Sequence, residues 1–202
     1  MLCLLSPGKF INIKNSKIIT KTSVTSTLVK ERLSIQGPLQ FNKTDFYLTW
    51  SDKQNDTYYI QEYLPKGENV IHFNHLLTIN LFHREIPIAD AVRQKVSELA
   101  ERKKTDPTCN FVVNQSNDGK EFLVDFIIGQ GNGDQSSIVE FNIYHYRQIE
   151  ISGKKKALVV YAYSERSYGD QIAGFLTRLR TDRIALLNAM SKTVIPSIKI
   201  NQ

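Results

Sequence analysis

The alternation of apolar and polar residues divides the chain into strand-like runs arranged around one early helix. Over Ile88–Lys104, residues Ile88, Val92, Val96 and Leu99 recur at helical spacing, so one apolar stripe must bury against a partner. Asp90 in the first turn and Arg102, Lys103 and Lys104 in the last follow the charge order that a helix dipole favours. Asp106-Pro107 stops the helix, because the residue before proline is pushed out of the helical region.

Before this helix, Phe46–Trp50 alternates and places Phe46, Leu48 and Trp50 on one strand face. Ser51–Thr57 reads as polar turn material, Tyr58–Leu64 as a second strand and Leu76–His83 as a third, after a weaker run over Asn69–Asn74. After Pro107 the period returns to two. Cys109–Asn114 and Lys120–Ile128 flank a tight turn at Asp118-Gly119, Gly129–Gly133 reads as a loop, and Ser137–Ile149 and Ala157–Ser164 follow as strands. Tyr168–Lys192 is a long helix with Ile172, Phe175, Leu176, Leu179, Leu186, Leu187 and Met190 on its apolar side. Arg183 falls inside that stripe and Ile184 outside it, which suggests a bend or a change of partner near Thr181-Asp182.

This order of strands, helix, four-strand meander and helix predicts an α+β fold, a largely antiparallel sheet covered by two helices. Residues 1–36 read as a flexible basic extension, 37–195 as a single domain entered at Gly37-Pro38, and 196–202 as a tail.

Composition changes this picture in one respect. The chain of 202 residues carries a formal charge of +6, but residues 1–43 hold seven basic side chains against Glu31 alone. Over 44–202, 19 basic residues balance 19 acidic ones. A nucleic-acid-binding domain carries its excess on the domain itself, so this distribution argues against that class of partner. Cys3 and Cys109 make neither a disulfide framework nor a zinc site. No window reaches the roughly 18 apolar residues of a membrane span. Met1–Leu5 is shorter than a signal-peptide core of about 7–15 residues and has no basic region before it. The expected compartment is cytoplasmic if the start is as written, and exported or periplasmic if an export signal is missing.

Leu76–Phe82 running into Ile88–Lys104, and Ala157–Ser164 (ALVVYAYS) running into the helix from Tyr168, carry a resemblance of layout. Over about residues 40–190 the order of elements resembles the fold shared by the PsbP photosystem subunit, the Ran-binding Mog proteins and the bacterial DcrB family. The resemblance implies a non-enzymatic protein that works by binding other proteins, often in an exported setting. It transfers no functional residue.

Candidate chemistry is sparse. Gly129-Gln-Gly-Asn-Gly-Asp134 lacks the following helix that a phosphate loop needs, and lacks the carboxylates of a calcium site. His72, His75 and His83, with Cys109 elsewhere, form the best metal-like set, but three-residue spacing on a strand sends the first two to opposite faces. Asp125 interrupts an apolar strand and faces a possible cross-strand partner in Arg147, with His145 on the same strand as Arg147. Those three are the candidates for an acid–base site. Lys154-Lys155-Lys156 reads as a solvated turn, and Arg178, Arg180 and Arg183 fall on different sides of the last helix.

Eight of the nine tyrosines lie in proposed strands. Tyr59 and Tyr63 share a face, as do Tyr144 and Tyr146, and Tyr161 and Tyr163. If these faces coincide, the sheet presents an aromatic binding surface built from those six residues. The expected function is therefore a non-catalytic domain that binds a protein or peptide through this face or a helix-flanked groove, with no cofactor and no metal. The alternatives are a hydrolase or transferase whose site is assembled from Asp125, His145 and Arg147, and a structural envelope-associated protein.

Overall fold

The computed structural model describes residues 29–132, 135–151 and 155–201. Eight strands run in chain order: β1 (Leu39–Phe41), β2 (Thr44–Asn55), β3 (Tyr58–Leu64), β4 (His75–Phe82), β5 (Asn110–Gln115), β6 (Glu121–Asn132), β7 (Gln135–Ile151) and β8 (Lys155–Tyr168). Helix α1 (Ile88–Arg102) separates β4 from β5, and α2 (Ile172–Lys192) follows β8 after a single 3-10 turn at Gly169–Gln171. The sheet order is β1-β2-β3-β4-β8-β7-β6-β5, every neighbouring pair is antiparallel, and the sheet curls into a half-barrel. The expected α+β fold is the observed one.

The connection through α1 follows from distance. The chain leaves β4 in mid-sheet and must reach β5 at the edge, four strand spacings away, about 19 Å. A 15-residue helix spans about 22 Å, so α1 crosses that gap in one stroke. It buries Ala91, Val92, Lys95 and Leu99 against the sheet, with Ile88 and Val96 at the border. Helix α2 covers the opposite face through Phe175, Leu179, Leu186 and Met190. Each face therefore has its own core. Leu77, Ile79, Phe141, Ile143, Val159 and Tyr161 lie under α2. Val124, Phe126, Tyr144, Tyr146, Val160 and Ala162 lie under α1.

Several boundaries differ from the sequence reading. Ser51–Asn55 is strand rather than turn, since Ser51, Asp52 and Lys53 pair with Gln61, Ile60 and Tyr59. Ladder bonding there comes from the neighbouring strand and needs no apolar side chain. Asn69–Asn74 is a bend, held by the Asn69 Oδ1 that accepts from the amides of Ile71 and His72, each at 3.0 Å. The expected flexible extension ends earlier than Gly37, because Leu33 and Ile35 are buried in the α2-side core, and Ile198 of the expected tail joins them. Residues 1–28 lie outside the described residues.

The expected loop Gly129–Gly133 is largely strand as well. Gly129 pairs with Val139 inside β6, while Gly133 and Asp134 lie outside the described residues. A Cβ on Gly129 would meet Ser136 Oγ at 2.5 Å and Thr108 Oγ1 at 2.7 Å, and those two hydroxyls bond each other at 3.2 Å. Gly129 is thus present for close approach. Gly129→Ala should cost about 1–3 kcal/mol in urea denaturation. An unchanged midpoint would mean that Thr108 and Ser136 rotate away without loss.

Candidate functional site

The six tyrosines proposed as a surface do not form one. Tyr59, Tyr63, Tyr161 and Tyr163 lie in the α2-side core, and Tyr144 and Tyr146 in the α1-side core. All six are buried, the most exposed being Tyr59 at 7 %. Desolvation is the leading cause that pushes the phenols of Tyr63, Tyr144, Tyr146, Tyr161 and Tyr163 upward. The correction is physical: each sheet face has a helix over it, so aromatic stripes on either face become core. A signal for this existed in Ala157–Tyr163, which is apolar at both parities, the mark of a strand covered on both sides.

The acid–base candidates are brought to one face but are bound to other partners. Asp125 Oδ2 accepts from Arg183 Nε at 2.6 Å, rather than from Arg147. That bond explains why an arginine sits inside the apolar stripe of α2. His145 Nε2 lies 2.7 Å from Glu121 Oε2, and Arg147 Nε lies 3.2 Å from the other oxygen of that carboxylate. Asp125 and His145 are buried. None of the three lines either of the two cavities described below.

The histidines also separate. His72 stacks on Tyr168 with centroids 4.1 Å apart, His75 Nδ1 lies 3.0 Å from Glu68, and His83 faces a cavity. Cys109 is buried, its thiol pushed up chiefly by desolvation. Cys3 and Lys154 lie outside the described residues. Among the described residues no group of three or more His, Cys, Asp or Glu side chains is placed to hold a metal.

What the fold assembles instead is a basic cavity of about 530 Å³, lined by Lys30, Arg32, Lys53, Tyr59, His83, Ile151, Lys155, Ile200 and Asn201. The sheet supplies its floor. Lys53 pairs with Tyr59 across β2 and β3, and Ile151 with Lys155 across β7 and β8. The two ends of the described chain supply a wall. Lys199 N–H donates to Leu33 O at 2.9 Å and Asn201 N–H to Arg32 O at 2.8 Å, so the leading and closing segments run side by side. A buried link fixes this wall to the sheet: Arg32 N–H donates to Gln61 Oε1 at 2.7 Å, and Gln61 Nε2 donates to the Tyr63 hydroxyl at 2.5 Å.

The electrostatics are one-sided. Among the described residues, four fixed cations line the cavity and no carboxylate does. Glu31, next in sequence, turns to the Leu33 amide and the Asn201 side chain. Asp56 pairs with Lys53 at 3.1 Å from a fully exposed position. Arg32 Nε is buried without a hydrogen-bond partner. An adjoining cavity of about 340 Å³ shares His83 and Lys155 and adds Arg84, Lys156 and Glu85, the last two paired at 3.1 Å. Sequence reasoning missed this site because its cations come from three segments far apart in the chain. Lys30 and Arg32 looked like part of a loose leader, and Lys155 like a solvated turn.

A protein-family model matches residues 33–195. The chain belongs to that family. The matched span opens at Leu33, a fully buried core residue, and includes Lys53, Tyr59, His83, Ile151 and Lys155 of the cavity. Lys30, Arg32, Ile200 and Asn201, the terminal wall, fall outside it. No curated protein and no solved structure matches the chain. The comparisons lend no support to the resemblance to PsbP, Mog and DcrB proteins. Among the described residues no helix is long and apolar enough to cross a membrane.

Proposed function

We propose that this chain is a non-catalytic binding domain whose ligand is a small polyanion, held in the basic cavity where the segments around Arg32 and Ile200 run side by side. The observation that carries the reading is a cavity of about 530 Å³ with Lys30, Arg32, Lys53 and Lys155 in its lining and no carboxylate among the described lining residues. Small-molecule sites typically enclose about 300–1,000 Å³. Like charges gathered in a concave, partly apolar site repel one another and focus a positive potential, and an anion relieves both. The concave, cation-lined shape favours a compact anion, such as a phosphorylated or polycarboxylate metabolite, over the expected protein or peptide partner.

Calorimetry with inorganic pyrophosphate and with citrate tests this. Saturable binding that weakens with salt is expected. Lys53→Ala and Lys155→Ala should each lower affinity about tenfold, as befits loss of one charge-assisted contact of roughly 1.5 kcal/mol. Absence of saturable binding by either anion at millimolar concentration overturns the proposal. So does capture of an acidic peptide alone, which would return the partner to the protein class.

A further inference from the structure

The two edges of the sheet are protected very differently. Edge strand β1 has three residues and starts immediately after Pro38, which has no N–H to offer. Edge strand β5, Asn110-Phe-Val-Val-Asn-Gln115, has six residues and contains no charge, no proline and no glycine. Val112 and Val113 are 43 % and 39 % exposed, and among the described residues only β6 pairs with this strand. An uncharged edge of this length is a template for another strand.

The backbone phase of that template can be read from the hairpin. Gln115 pairs with Phe122, and the next bond in the same register is Ser116 N–H to Glu121 O at 2.9 Å. Antiparallel ladders alternate, so Asn110, Val112 and Asn114 direct their N–H and C=O groups at β6. Phe111, Val113 and Gln115 direct theirs outward.

The side chains say what fits. Asn110-Phe111-Val112-Val113-Asn114 reads alike in both directions about Val112: amide, apolar, valine, apolar, amide. We propose that β5 pairs with β5 of a second copy, antiparallel about a two-fold axis at Val112, so that two sheets become one continuous sheet. An axis perpendicular to the sheet keeps each face on its own side, which requires partners of equal parity. Val112 then lies against the partner's Val112, Phe111 against the partner's Val113, and Asn110 against the partner's Asn114. Phe111 and Val113 exchange both backbone bonds through their outward groups. Val112 takes the non-hydrogen-bonded position, where Cα atoms approach to about 4.5 Å. Moving the axis to Val113 would set Phe111 against Gln115 and Val112 against Asn114, apolar against polar. A foreign peptide would need no such symmetry in its host strand.

The test uses the full chain. Light scattering coupled to size exclusion should give twice 23.1 kDa at high micromolar concentration, with dissociation on dilution. Val113→Pro removes only an outward N–H, so it should leave the β5–β6 ladder intact and yield the monomer. As an independent readout, Val112→Cys in a Cys3→Ser background should form a disulfide-linked dimer on mild oxidation, whereas Asn114→Cys should not. A monomer at every concentration overturns the proposal. So does a dimer that survives Val113→Pro and fails to cross-link through position 112.

Discussion

Raising the pH above about 10 should unfold this protein cooperatively rather than titrate its tyrosines one by one. Desolvation is the leading cause that holds the phenols of Tyr58, Tyr63, Tyr144, Tyr146, Tyr161 and Tyr163 far above their ordinary range in the folded state. Unfolded, the same groups lose their protons near pH 10. Above that pH the unfolded chain sheds protons that the folded chain keeps, so stability present below about pH 10 is lost as pH rises. The loss is about 1.4 kcal/mol per group per pH unit, or roughly 8 kcal/mol per unit for six groups. A domain stability of about 5–15 kcal/mol is exhausted within one to two units. Phenolate absorbance and the far-ultraviolet circular dichroism change should therefore share one midpoint. Phenolate signal growing from pH 10 with unchanged dichroism would show that these rings are reached by water.

Arg166→Met should destabilise the domain by about 3–5 kcal/mol, since it leaves a buried carboxylate without its cation. Arg166 Nε donates to Glu140 Oε2 at 2.7 Å, and both side chains are almost wholly buried on the sheet face that carries α1. The guanidinium also lies 4.1 Å from the centre of the Phe73 ring. Glu62 lies in the same field: burial pushes its carboxyl up, Arg166 pulls it down and Glu140 pushes it up again. Without Arg166 the Glu62 carboxyl should take up a proton more readily, so the deficit of the variant should shrink as pH falls. Glu140→Gln added to Arg166→Met should recover much of the loss, because the orphaned charge is gone. The check is urea denaturation at two pH values. A single variant within about 1 kcal/mol of the parent would sink the idea.

The polar residues around this pair show where sequence reading ran short. Tyr58 donates to Asn80 at 2.7 Å and Ser164 to Asn142 at 2.6 Å, both buried on the α1 side. Lys95 sits within the buried stripe of α1, its ammonium pushed down by desolvation and placed 4.8 Å from the Phe126 ring. Lys95 is no part of the Ile88, Val92, Val96 and Leu99 stripe that periodicity picks out, and so belongs to the polar flank of the helix. Only a curled sheet rising beside the helix turns that flank into interior.

The pattern of residues by itself determined the types of most elements and their order. Period two marked β2 and β7, period 3.6 marked both helices, and Pro107 and Asp118-Gly119 marked a stop and a turn. These are local effects of side-chain direction and backbone sterics, so a local reading recovers them. The tertiary structure decided strand ends, the facing of the tyrosines and the site. Ser51–Asn55 and Glu165–Tyr168 are strand because a neighbour offers hydrogen bonds, whatever their polarity. Tyr144 and Tyr161 bury on opposite faces because α1 crosses one side of the sheet and α2 the other. Lys30, Arg32, Lys53 and Lys155 become one cavity only when the Arg32 segment and the Asn201 segment meet over the sheet. Each of these outcomes depends on contacts between residues far apart in the chain, and no window of neighbouring residues contains that information.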